Sequence, residues 1–155
     1  MTEAIAEAER LMGGTPTVVV CAAGIYPVAP LLEMPVPEWN RTFATNVSGS
    51  MYCARGAVAA ARRSGQGLTV VLLSSVGAYR SDWAEPSAAY CASKAAVSSL
   101  ARSMAGEWAP FGVRVNAVAP GLINTPMLRT MADPATGTQS LRSRVPLARL
   151  GTAAE

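Results

Sequence analysis

The chain has 155 residues, half of them hydrophobic and 15% charged, with a net charge of +3 and no histidine. That is one ordinary domain with enough apolar material for a core, which excludes a disordered chain. The positive charges are scattered rather than clustered, which excludes a nucleic-acid surface; residues 11–32 lack charge, but Pro16, Pro27 and Pro30 interrupt them, which excludes a membrane span.

In chain order, "TEAIAEAERLM" predicts an amphipathic helix with Ile5, Ala8, Leu11 and Met12 on one face, ended by Gly13-Gly14. Its acidic start does not read as a leader. "TVVVCAA" (17–23) reads as a strand buried on both faces. Trp39, Phe43, Val47, Met51, Ala54 and Val58 recur at helical spacing, so a long helix is expected from Pro37 to about Arg63. "LTVVLLSS" (68–75) is a second buried strand, "SAAYCASKAAVSSLARSMAGEW" (87–108) a helix, and "VRVNAVA" (113–119) a third strand. The remainder has weak helical pieces and many turn residues.

Helix and strand alternate as in an α/β fold with a parallel sheet. In such sheets the ligand crevice lies outside the carboxyl ends of the strands. Ala23-Gly24, Ser74-Ser75 and Pro120-Gly121 mark those ends and point to one shared site.

The chemistry centres on Tyr90 and Lys94, the only lysine among thirteen basic residues. Residues four apart share a helix face, so the ammonium lies beside the phenol. A phenol titrates near pH ~10, a neighbouring ammonium lowers that value, and general acid–base work is best near the working pH. Tyr-x-x-x-Lys alone also fits an ordinary exposed pair. Ser75, at a strand end, offers a hydroxyl for a carbonyl oxygen, although serines there also simply end strands. Cys21, Cys53 and Cys91 share no metal-ligand spacing and read as free thiols in a reducing cytoplasm, with no metal site.

"VVVCAAGI", "ATNVSGSMYCARGA", "VVLLSSVGA", "YCASKAAV" and "VRVNAVAPGLINTPM" stand in the order seen in classical short-chain dehydrogenases/reductases, which the chain resembles from about residue 17 to 127. The resemblance implies part of a Rossmann-type, doubly wound parallel sheet, roughly its fourth to sixth strands. It implies an NAD- or NADP-dependent oxidoreductase acting on a small carbonyl or alcohol. Tyr90 would be the acid/base, Lys94 its activator and ribose ligand, Ser75 the carbonyl-orienting hydroxyl, and Asn46 the residue holding a water that links the lysine to solvent. Ala23 and Gly24 would meet the cofactor through their backbone, as would Ile123 in the loop opened by Pro120-Gly121, and Thr125 through its hydroxyl. Cys21 and Ala22 replace two asparagines of the family pattern. The same likeness implies self-association through helices 37–63 and 87–109.

No glycine-rich turn follows a first strand. By resemblance the chain starts in the helix before the family's fourth strand, and "RLGTAAE" resembles the start of its last helical segment. The 17–23 strand is thereby expected to present an unpaired apolar edge, with poor solubility and weak cofactor binding for these 155 residues alone. Residues 127–147 are expected to form an apolar cover over the substrate through Met127, Leu128, Met131 and Leu141. The competing readings are an inactive module associating through its long helices, and an epimerase or dehydratase sharing the Tyr-Lys pair.

Overall fold

The structure, a computed structural model, describes residues 2–81, 85–129, 131, 135 and 137–155. It divides into two units, residues 1–119 and 120–155.

The first unit holds helix α1 (Thr2–Met12), strand β1 (Val18–Cys21), helix α2 (Val36–Phe43), a wider π-helical turn (Ala44–Gly49), helix α3 (Ser50–Ser64), strand β2 (Leu68–Leu73), helix α4 (Ala88–Trp108) and strand β3 (Val113–Val118). The strands form a parallel sheet in the order β1-β2-β3, with Val19, Val70 and Val115 in register. The α/β class and the partial Rossmann-type sheet follow directly.

Helices α3 and α4 pack on one face of the sheet, and α1 packs on α3. Between them lie Leu68, Val70, Leu72, Val97, Ala101, Met104, Val113 and Val115. Each such leucine, valine or methionine contributes roughly 1.5–3 kcal/mol by leaving water. Helix α3 stops where Gly65 takes a left-handed conformation, φ 70°, and its N–H returns to the Ala61 carbonyl.

Two expectations need correction. The first strand is not buried on both faces: Val18 and Val20 are 59% and 55% exposed. Alternate residues point to opposite faces, and only the side bearing Val19 and Cys21 meets α3. Among the described residues its outer edge is unpaired, since β1 bonds to β2 alone there. The helix from 37 to 63 is not uniformly α-helical either; it widens at Ala44–Gly49, around Asn46. Strands two and three also end slightly early, at Leu73 and Val118.

In the second unit, Pro126–Arg129 (α5) and Gln139–Arg142 (α6) are single helical turns. Ile123 pairs with Gly151, whose N–H donates to the Leu122 carbonyl. In the expected cover, Leu128 and Leu141 are buried while Met127 is exposed. Positions 130, 132–134 and 136 of that segment lie outside the described residues. Among the described residues no helix is long and apolar enough to cross a membrane, and no group of acidic, cysteine or histidine side chains is placed to hold a metal ion.

Candidate active site

Asn46 sits in the widened turn and is fully buried. Its Oδ1 accepts from the Ile25 N–H at 2.8 Å, and its Nδ2 donates to the Ile25 carbonyl at 3.0 Å and to Ser93 Oγ at 2.9 Å. Ser93 Oγ in turn donates to the Tyr90 carbonyl at 2.7 Å. One amide thus ties the segment after β1 to the helix carrying Tyr90 and Lys94. A π-helical turn departs from the regular helical ladder, and such turns gather at functional sites; the Asn46 carbonyl accepts from Ser50 Oγ at 2.8 Å. The side chain retains one lone pair on Oδ1.

Gly24 lies against this group. A Cβ there would stand 3.3 Å from Asn46 Oδ1 and 3.5 Å from Lys94 Nζ, so the absent side chain leaves a small cradle bounded by both. That cradle fits the resemblance's assignment of the Ala23-Gly24 backbone and Lys94 to the nicotinamide half of a cofactor.

Lys94 is 5% exposed, and its Nζ donates to the Leu73 carbonyl at 2.6 Å, at the end of β2. An ammonium has three N–H groups, so two remain for other partners. The nitrogen is 5.6 Å from the centre of the Tyr90 ring. Burial lowers its pKa, because desolvation penalises the charged form.

The same desolvation raises the Tyr90 phenol above its ordinary value, and a hydrogen bond with Ser75 opposes it only in part. Burial is the largest influence on the phenol, and the nearby ammonium is engaged with the Leu73 carbonyl. Tyr90 and Ser75 border the same small space beside Gly77. A Cβ on Gly77 would stand 3.5 Å from Ser75 Oγ and 3.9 Å from Tyr90 Cε1. Ser75 Oγ also accepts from the Gly77 N–H at 3.1 Å, which fixes its direction.

The two adjacent serines differ in burial and in their partners. Ser74 Oγ donates to the Lys94 carbonyl at 2.9 Å and lies 2.6 Å from Ser98 Oγ, which also accepts from the Tyr79 hydroxyl at 3.1 Å. Ser74 braces the helix; Ser75 faces Tyr90. Pro120, Gly121, Ile123 and Thr125 belong to the second unit. There Thr125 Oγ1 accepts from the Leu128 N–H at 3.4 Å, which leaves its hydroxyl proton to donate.

Sequence reasoning overlooked Tyr26 and Ser93. The Tyr26 ring stands edge-on to Tyr90, centroids 4.5 Å apart and planes at 76°. Nothing in a single aromatic after "AAGI" signals that contact. For Ser93 a signal existed: a serine three residues after Tyr90 lies on the same helix face.

The model of the family described as enoyl-(acyl carrier protein) reductase matches residues 1–155. The chain is similar to cis-4-hydroxycyclohexanecarboxylate dehydrogenase of Sinomonas cyclohexanicum, 37% identical over 138 residues, covering 88% of this chain and 53% of that protein. It is also similar to galactitol 2-dehydrogenase (L-tagatose-forming) of Cereibacter sphaeroides, 34% identical, covering 100% and 60%. Among solved structures it resembles a short-chain type dehydrogenase/reductase from Mycobacterium marinum, with TM-score 0.89, 34% identity and coverage of 97% and 58%. It likewise resembles ElxO solved with NADP bound, with TM-score 0.85, 29% identity and coverage of 97% and 60%. The chain therefore spans little more than half the length of these relatives. On the match along its whole length and the fold it shares with solved relatives, the chain belongs to the short-chain dehydrogenase/reductase family.

Proposed function

We propose that these residues form the reacting half of an NAD- or NADP-dependent oxidoreductase that interconverts a secondary alcohol and a ketone on a small molecule. One observation carries the reading: Tyr90 and Ser75 border the same space beside Gly77, just past β2, with the buried Lys94 on the same helix face as Tyr90. Relatives named for galactitol and for a hydroxycyclohexanecarboxylate support the substrate class.

The nicotinamide, when bound, supplies or accepts the hydride at the carbinol carbon. Tyr90 exchanges the proton at the substrate oxygen, and Ser75 Oγ donates to that oxygen and fixes its place. Lys94, with two N–H groups beyond its bond to Leu73, would hold the ribose hydroxyls of the cofactor and stand beside the phenol. Its positive charge favours the phenolate once the site is closed. A water on the spare lone pair of Asn46 Oδ1 would link Lys94 to solvent, since both atoms lie within 3.5 Å of the point a Gly24 Cβ would occupy. By resemblance, Ala23 and Gly24 would add backbone contacts to the nicotinamide; in the second unit, Pro120, Gly121, Ile123 and Thr125 are the candidates for that role and residues 127–147 for the cover.

Self-association through α3 and α4 accompanies this reading. The exposed positions Ala95, Ser99, Ser103 and Gly106 on α4 are small, so a second copy can approach closely. A reducing cytoplasm suits its free thiols. The test is reduction of NAD+ or NADP+ by a panel of polyols and cyclic secondary alcohols, using the polypeptide as its gene encodes it. Deuterium at the carbinol carbon should pass to the nicotinamide. Turnover without such transfer, or no turnover of any alcohol or ketone, contradicts the reading; a stable oligomer without turnover would favour the association module instead.

A further inference from the structure

We infer that Tyr26 is a positioning residue for Tyr90: it holds the phenol ring edge-on and closes one side of it to water. The inference rests on the reading of Tyr90 as the acid/base.

The contact is built rather than incidental, because the segment carrying Tyr26 is fixed on both sides. At Ile25, both backbone groups bond the buried Asn46 side chain, at 2.8 and 3.0 Å. At Ala29, the N–H donates to the Pro86 carbonyl at 2.9 Å, just before α4. Between these ties the Tyr26 ring meets Tyr90 at 4.5 Å and 76°, the edge-to-face geometry that aromatic quadrupoles favour. Ser87 and Glu85, just before α4, are the polar side chains that act on the Tyr26 hydroxyl. Ser87 Oγ also donates to the Glu85 carbonyl at 3.3 Å and touches Cys91 Sγ at 3.5 Å. Tyr26 therefore bridges the end of β1 and the first turn of α4.

The arrangement gives Asn46 a second route to the reacting phenol. It holds Ile25, Ile25 places Tyr26, and Tyr26 confines the Tyr90 ring. Among the described residues, the other titratable groups about Tyr90 are Cys91, Lys94 and Tyr26, with Glu85 beside Tyr26. Burial is the largest influence on the phenol, so removing one wall should act on its titration directly.

The test uses 13C-labelled tyrosine, with the Tyr90 signal assigned from Tyr90→Phe, and follows its titration in unsubstituted protein, Tyr26→Phe and Tyr26→Leu. Tyr26→Leu should move the Tyr90 midpoint down toward that of a free phenol and lower kcat by about three- to tenfold, the worth of one edge-on aromatic pair. Tyr26→Phe, which keeps the ring, should restore most of both. An unchanged Tyr90 midpoint in Tyr26→Leu overturns the inference. If that variant does not fold, nuclear Overhauser contacts between the two rings in the unsubstituted protein decide: their presence supports it and their absence overturns it. The titration needs no turnover, so a protein that oxidises no alcohol would sink the proposed activity without being confused with a failure of this contact.

Discussion

Lys94 Nζ donates to the carbonyl of Leu73 across 2.6 Å, while the lysine side chain lies almost wholly inside the protein. A charge held there by one carbonyl is a cost to the fold, since desolvation outweighs a single hydrogen bond. Lys94→Met should therefore preserve or raise stability, by about 1 kcal/mol or more, while removing turnover. The sign with pH follows from the lowered lysine pKa. The unfolded chain keeps its proton to higher pH than the folded one, so the penalty is full at neutral pH and fades as pH rises toward the ordinary lysine value. Thermal melts of both proteins from neutral to alkaline pH check this: the advantage of Lys94→Met should shrink as pH rises.

Cys21 titrates in the opposite sense. Burial pushes its thiol from 9.0 up to about 12, with Cys53 adding to the shift. Above pH ~9 the unfolded chain loses a proton that the folded chain retains, so this part of the stability declines until the folded thiol ionises. Cys21→Ala should remove that alkaline decline while costing about 1–2 kcal/mol of packing at neutral pH. Urea midpoints against pH give the comparison.

Asn46 makes three hydrogen bonds from a fully buried side chain. Asn46→Ala leaves the Ile25 N–H and carbonyl without their partner, at a cost of about 2–3 kcal/mol. Activity should fall further than stability explains, because Ile25 and Ser93 lead to Tyr26 and Tyr90. Denaturant melts and kcat of the same preparation separate the two effects.

Gly24→Ala places a methyl 3.3 Å from Asn46 Oδ1 and 3.5 Å from Lys94 Nζ. The crowding should destabilise by about 1 kcal/mol and weaken nicotinamide binding more than it weakens the fold. Calorimetric titration with NADH and NADPH, set beside a thermal melt, tests the difference.

The exposed Val18 and Val20, on a strand with an open edge, should make the 155-residue chain associate on its own. Val18→Lys with Val20→Lys should reduce that association. Light scattering over a concentration series measures it; equal scattering from both proteins speaks against the open strand as its cause.

Much of this was legible in the sequence because it is local. The 3.6-residue period placed Tyr90 and Lys94 on one face of α4, and β-branched runs marked all three strands. What the sequence withheld depends on neighbours remote in the chain. Exposure of Val18 and Val20 is set by what covers the sheet, not by the residues themselves. The widened turn at Asn46 depends on Ile25 and Ser93, far off in sequence, to satisfy its amide. The rise of the Tyr90 pKa likewise comes from packing, whereas the Tyr-Lys spacing alone argued for a fall. Ser75 could be told from Ser74 only by resemblance until the fold showed Ser74 bonded to Lys94 and Ser98.

The central claim is that the Tyr90 hydroxyl moves the proton while Ser75 holds the oxygen. Its most direct test is the steady-state rate of Tyr90→Phe, in the polypeptide as its gene encodes it, with the best alcohol of the panel and its cofactor. The account predicts a kcat lowered by about 10²–10⁴-fold, with cofactor affinity and melting temperature nearly unchanged. A Tyr90→Phe protein that keeps its kcat would contradict it.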